Sequence, residues 1–174
     1  MEAEGFAIKP KPIWLHFKQH NNGGTIDLDQ NHKGEGLRAD MKYRIIDGSE
    51  KMNLDEVAGL LKMTYWADKR PAEQIRKSMD NSSCYGVYLD DGKKLVGFAR
   101  VISDYATTYY LCDVIIDTSY QHMGLGTALV SYIESLPEYA GLRGILITRD
   151  AHNLYRKFGF EVLNGRAMVK TLNC

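Results

Sequence analysis

The feature of this sequence that most constrains its fold lies at residues 112–127. There the apolar run Cys112-Asp113-Val114-Ile115-Ile116 leads through Asp117-Thr118-Ser119-Tyr120 and Gln121-His122-Met123-Gly124-Leu125-Gly126-Thr127 into a helix whose Leu125, Leu129, Ile133 and Leu136 mark one buried stripe. Such a strand-to-helix junction suits an anion. Glycines at 124 and 126 let the backbone approach a ligand, and the first N–H groups of a helix lack intrahelical partners and carry the positive end of its dipole. A diphosphate fits that description. Two glycines alone equally describe a tight turn, and Val114, Ile115 and Ile116 alone equally describe an ordinary buried strand.

The flanking sequence supplies a regular set of elements. A strand is expected over residues 42–46, then a helix over about 53–66 with Leu54, Val57, Leu61 and Tyr65 near helical spacing, and a second helix from Pro71 to Met79. Three strands follow at 84–89, 95–102 and 109–116, the first pair joined by the turn Asp90-Asp91-Gly92, which makes an antiparallel meander. After the 125–136 helix come a buried strand over 144–148, a short helix capped by Asp150 and stopped at Gly159, and two last strands. Meander and strand-helix-strand units together imply an α/β (α+β mixed) fold: a mixed sheet with helices on both faces.

Residues 1–40 differ in character from the remainder of the chain, 41–174, which reads as a single domain. They are rich in Gly, Asn, Pro, Lys and His around Ile13-Trp14-Leu15-His16-Phe17, and Asn21-Asn22-Gly23-Gly24 before Thr25-Ile26-Asp27-Leu28 suggests an added hairpin. The chain has 22 basic and 22 acidic residues, so it offers no electrostatic footprint for nucleic acid and no attraction to an anionic membrane. A small-molecule partner is the expectation. Cys84, Cys112 and Cys174 are widely spaced, odd in number and unlike a zinc site, so they read as reduced thiols with no metal. No apolar run approaches the roughly 20 residues that span a bilayer, and the first residues lack a signal-peptide pattern, so a cytoplasmic location is expected by default.

Three glycine patterns compete at the junction. A dinucleotide fingerprint needs a third glycine or alanine where this chain has Leu129, and a P-loop needs a lysine after Gly126 where it has Thr127. The third pattern, Gln/Arg-x-x-Gly-x-Gly/Ala, is met in full, and here the sequence resembles the GNAT superfamily of acyl-coenzyme A-dependent N-acyltransferases. Downstream, Asp150-Ala151-His152-Asn153-Leu154-Tyr155-Arg156-Lys157-Phe158-Gly159-Phe160 resembles that superfamily's second motif. The element order is also similar from about residue 42 to 170.

The resemblance implies a mostly antiparallel central sheet that splays beside Val114, Ile115 and Ile116, freeing backbone groups for the pantetheine arm of acetyl-CoA and for its acetyl carbonyl. Val114 N–H is the implied oxyanion donor. Gln121, His122, Met123, Gly124, Leu125, Gly126 and Thr127 would wrap the diphosphate, with His122 a solvent-exposed spacer. Many relatives carry Arg or Lys at Met123, so its loss here shifts the contact toward backbone amides. Asn153 would contact the cofactor or cap its own helix. Tyr155 is the implied general acid for the departing thiolate, its alternative being a core aromatic beside Phe158.

An amine of pKa about 10.4 must also lose a proton before it attacks. Relatives often place Glu or another polar group where this chain has Tyr110, which puts a direct carboxylate base in doubt. Asp113, Asp104 and a relayed water are the other candidates. Substrate contacts should come from Thr64-Tyr65-Trp66-Ala67-Asp68-Lys69-Arg70, and Trp66, Tyr105 and Tyr109 with Tyr110 suggest an aromatic wall for a small-molecule amine or, alternatively, plain packing. The implied activity is N-acetyl transfer to a primary amine, with a non-catalytic acyl-CoA sensor and a protein or peptide acetyltransferase as alternatives, and a homodimer by fold-level analogy.

Overall fold

In a computed structural model, residues 42–89 and 93–170 are described, so the hairpin expected within residues 1–40, the turn at Asp90-Asp91-Gly92 and Cys174 lie outside the described residues. Strands β1 (Tyr43–Asp47), β2 (Ser83–Leu89), β3 (Leu95–Ser103) and β4 (Thr108–Ile116) pair antiparallel in sequence order, and β5 (Arg143–Ile145) adds parallel to β4. Helices cover both faces. On one face α1 (Leu54–Leu61) and α2 (Ala72–Asp80) close a core of Val57, Leu61, Ile75, Met79, Phe98 and Ile115. On the other, α3 (Leu125–Glu134) and α4 (His152–Arg156) close a core that includes Val101, Leu111, Ile116, Leu129, Ile133 and Tyr155. Each fully buried aliphatic side chain contributes about 1.5–3 kcal/mol of transfer free energy. The mixed, mostly antiparallel sheet with helices on both faces is the expected class.

Two irregularities in β4 shape the site. Its register with β3 pairs Phe98 with Ile115 but Arg100 with Cys112, so Ala99 alone spans Asp113 and Val114. This is a β-bulge, and Asp113 takes the left-handed conformation at φ 54 to make it. On its other side β4 pairs with β5 only from Thr108 to Tyr110, although β4 runs on to Ile116. The two strands part there, and Val114 is left without a register partner on either side.

Several boundaries differ from expectation for local reasons. Helix α1 stops at Leu61 rather than near Trp66, because the Thr64 hydroxyl donates to Leu61 C=O at 2.7 Å and accepts from Ala67 N–H at 3.1 Å, closing a turn. The chain from 62 to 70 thereby becomes a loop. Asp150 does not cap α4: the Thr148 hydroxyl accepts the Ala151 N–H at 3.0 Å, and Asp150 faces Arg149. The strand expected over 144–148 is only Arg143–Ile145, since β4 has already turned away. The two last strands are not formed among the described residues. Residues 161–170 are exposed throughout, Gly165 lies in a turn at φ 69, and a three-residue β5 is a short edge on which to pair. No helix among the described residues is long and apolar enough to cross a membrane.

Candidate active site

Where β4 and β5 part, a cavity of ≈ 900 Å³ opens against the backbone of β4. Its floor is Tyr110 to Ile116. One wall is the loop after α1, with Thr64, Tyr65, Trp66 and Arg70; the opposite wall comes from Ile147, Thr148, Leu154 and Tyr155; Gln121, His122 and Gly126 close one end. Across the mouth, the Arg149 guanidinium lies 3.9 Å from the centre of the Tyr65 ring, which itself meets Trp66 edge-on at 4.8 Å.

The end near α3 presents an uncapped helix start. Gly124 precedes the helix in the left-handed conformation at φ 79, and no side chain caps the helix start. The first intrahelical bond runs from Ala128 N–H to Gly124 C=O at 2.9 Å, which leaves the N–H groups of Leu125, Gly126 and Thr127 without intrahelical acceptors. Gly126 lines the cavity, and a Cβ there would approach the protein no closer than 3.7 Å, to Ile116. Packing does not require glycine at that position. The Gly126 backbone is left open to the cavity that it lines. The Gln121 side chain donates from Nε2 to Ile116 C=O at 3.1 Å and ties the loop to the end of β4, while His122 takes φ 62. Met123 packs against the core under α3, Leu125 is buried in it, and Thr127 is half-buried away from the cavity lining.

Val114, Tyr110 and Tyr155 all line the cavity. Tyr155 is only 8% exposed, and burial, reinforced by the charge of Asp150, pushes its hydroxyl up to about 12. The Cys112 thiol on the same lining is also pushed up to about 12, again chiefly by burial. Burial likewise raises Tyr110.

Asp113 is not a free base. Although burial opposes its ionisation, Arg70 and Arg100 both bind it and hold its carboxyl below the ordinary value of 3.8. Arg70 Nη1 and Arg100 Nε donate to Oδ2 at 2.7 and 2.6 Å, and Arg70 Nη2 donates to Oδ1 at 3.3 Å. Asp104 is committed as well, accepting from the Thr107 hydroxyl and the N–H groups of Ala106, Thr107 and Thr108.

Three residues expected at the site lie elsewhere. Tyr109 points into the core under α3 and donates its hydroxyl to both Glu134 oxygens at 2.7 and 2.8 Å. Tyr105 shares a hydrogen bond with the Ser83 hydroxyl at 2.6 Å and stacks on Tyr139. Neither Tyr105 nor Tyr109, the expected substrate contacts, belongs to the cavity lining. Asn153 is exposed, its side-chain oxygen accepting from Arg156 at 3.4 Å, and it caps no helix. Arg100 is the residue that sequence reasoning passed over. Its signal was a lone charge within Val96-Gly97-Phe98-Ala99-Arg100-Val101-Ile102, an otherwise apolar strand.

The model of the acetyltransferase (GNAT) family matches residues 54–160. A Prochlorococcus marinus protein named uncharacterized N-acetyltransferase ycf52-like is 33% identical over 102 residues, covering 57% of this chain and 56% of its own. The soybean (Glycine max) protein named histone acetyltransferase TAP1 is 31% identical over 116 residues, 66% of this chain and 47% of its own. The chain thus spans about half the length of these relatives. A solved structure from Xanthomonas campestris pv. campestris, assigned to the GNAT family of acetyltransferases, superposes with a TM-score of 0.70 at 30% identity, over 79% of this chain and 96% of the other.

Proposed function

Because this chain belongs to the GNAT family of acetyltransferases, we propose that it moves an acetyl group from acetyl-CoA, by direct transfer, to the primary amine of a small molecule. The observation that carries this reading is a meeting of parts in one cavity: the unpaired backbone at Val114, the side-chain-free helix start at Gly126 and the Tyr155 hydroxyl. Acetyl-CoA supplies the thioester. The N–H groups of Leu125, Gly126 and Thr127 hold its diphosphate, with Gln121 fixing the loop and His122 and Met123 acting through their backbone. The backbone of Val114, Ile115 and Ile116 aligns the pantetheine arm, and Val114 N–H donates to the acetyl carbonyl as negative charge develops on it.

Tyr155 donates to the departing sulfur. Its hydroxyl stays protonated well above neutral pH, so it is available as a proton donor when the thiolate leaves. With Asp113 and Asp104 both committed, a water held by Tyr110 relays the amine proton outward. Trp66 and Tyr65 cover the acceptor.

The reading is tested by release of free coenzyme A with a panel of amines, for the full chain and for Tyr155→Phe. Loss of the acid should lower kcat by roughly 10²–10⁴-fold with little change in acetyl-CoA affinity. An unchanged rate removes Tyr155 from the mechanism, and acetyl-CoA binding without turnover on any amine favours the non-catalytic sensor. The name of the soybean relative favours a second reading, in which the acceptor amine belongs to a protein. Faster turnover on a lysine peptide than on any free amine would establish it. The homodimer rests on fold-level analogy and is checked by sedimentation. A cytoplasmic location is checked by imaging a full-length fusion, and import into an organelle overturns it.

A further inference from the structure

Three mostly buried charges stand on the inner wall of the cavity, at side-chain exposures of 4% for Asp113, 17% for Arg70 and 13% for Arg100. The other carboxylate on the lining, Asp150, pairs with Arg149 at 3.4 Å, and both are exposed at the rim. The inner wall therefore sets two cations against one anion. Arg70 uses both terminal nitrogens on Asp113, whereas Arg100 uses only Nε. Among the described residues the two terminal nitrogens of Arg100 carry no side-chain hydrogen bond, yet they belong to a group that faces the cavity.

A surplus positive charge at partial burial repels an ammonium group and is itself costly unless an anion offsets it. The wall thus disfavours a simple cationic amine, in contrast to what the aromatic residues alone suggest. An acceptor that brings its own anionic oxygens reverses both terms, and a guanidinium fork is matched to such a group in shape as well as charge. We propose that the acceptor carries a carboxylate or phosphate beside its amine, and that Arg100, with Arg70 behind it, receives that anionic group while Trp66 and Tyr65 cover the body of the molecule. The assignment rests on the acetyl-transfer reading for the role of the bound molecule, and its test does not depend on turnover.

The test compares ligands matched apart from the anion, with the full chain saturated in coenzyme A. Phenylalanine, phenethylamine and 1-amino-2-phenylethylphosphonate form one set; β-alanine, propylamine and 2-aminoethylphosphonate form the other. Binding is followed by saturation-transfer NMR and, with acetyl-CoA, by coenzyme A release. In at least one set an anionic member should bind roughly tenfold or more tighter than the plain amine, the scale of one charge-assisted contact. Whether the carboxylate or the phosphonate leads identifies the anion. Arg100→Gln should reduce the preference to about twofold or less while acetyl-CoA affinity holds, Arg70 remaining to pair Asp113 and keep the wall folded. Arg70→Gln gives the second variant. Preferential binding without coenzyme A release sinks acetyl transfer and leaves this assignment standing. Equal binding within both sets, no binding at all, or a preference unmoved by both variants overturns it.

Discussion

Gly126 separates what packing needs from what a ligand needs. A methyl group there meets the protein only at ordinary contact distance, so Gly126→Ala removes backbone freedom from the unfolded chain and should raise stability by about 0.5–1 kcal/mol. The same methyl, on a residue that lines the cavity, should weaken acetyl-CoA binding by roughly tenfold. Thermal melts and direct titration of acetyl-CoA read the two effects separately, and a variant that gains stability without losing affinity would move the diphosphate away from α3. Gly124 differs, because its φ of 79 makes any side chain strained whatever space surrounds it. The glycine pair was legible from its place between an apolar strand and an amphipathic stripe. The aromatic residues were not: Tyr109 and Trp66 look alike in sequence, and only the parity of β4 and the early end of α1 send one into the core and the other, 43% exposed, to the cavity.

At the scale of elements, Asp113 is the joint between β4, β3 and the loop before α2. Its left-handed conformation is held by Arg100 from the neighbouring strand and by Arg70 from the loop, which fixes the bulge beside Val114. Asp113→Asn leaves two guanidinium groups without their shared anion and should cost on the order of 3–5 kcal/mol at neutral pH. The pH dependence has a definite sign. The folded carboxyl lies below its ordinary 3.8, so the stabilisation is complete above that value and is lost as pH falls through the folded pKa. Denaturant titrations should find wild type and Asp113→Asn far apart at pH 7 and converging below pH about 3.8; a constant gap would show that the carboxylate charge is not what holds the joint. Periodicity disclosed the meander and α3 but not this joint, because a bulge changes register by one residue and leaves the apolar pattern of Val114, Ile115 and Ile116 intact. The end of α1 was hidden for a similar reason: Tyr65 continues the helical spacing, and a single hydroxyl at Thr64 overrides it.

Across the whole molecule the sheet divides the apolar interior into two cores, and β4 is fastened to both by successive residues, Ile115 on the α1–α2 side and Ile116 on the α3 side. This is the arrangement that a splayed strand needs. With no β5 beside its second half, β4 is held there by its ladder to β3 and by what packs above and below it. Substitutions deep in separate cores should therefore act independently. Ile75→Val and Ile133→Val should each cost about 0.5–1.5 kcal/mol, and their sum should match the double variant within about 0.5 kcal/mol. Ile115→Val and Ile116→Val are chain neighbours on the strand that both cores grip, so their double variant should depart from additivity by more than about 0.5 kcal/mol. Loosening β4 also moves Val114, so this pair should lower kcat where the Ile75–Ile133 pair leaves it near wild type. Urea midpoints and coenzyme A release on the six variants decide the matter: additivity in both pairs, with kcat unmoved in both, would mean that β4 is positioned by its ladder to β3 alone and that the two cores do not set the geometry of the site.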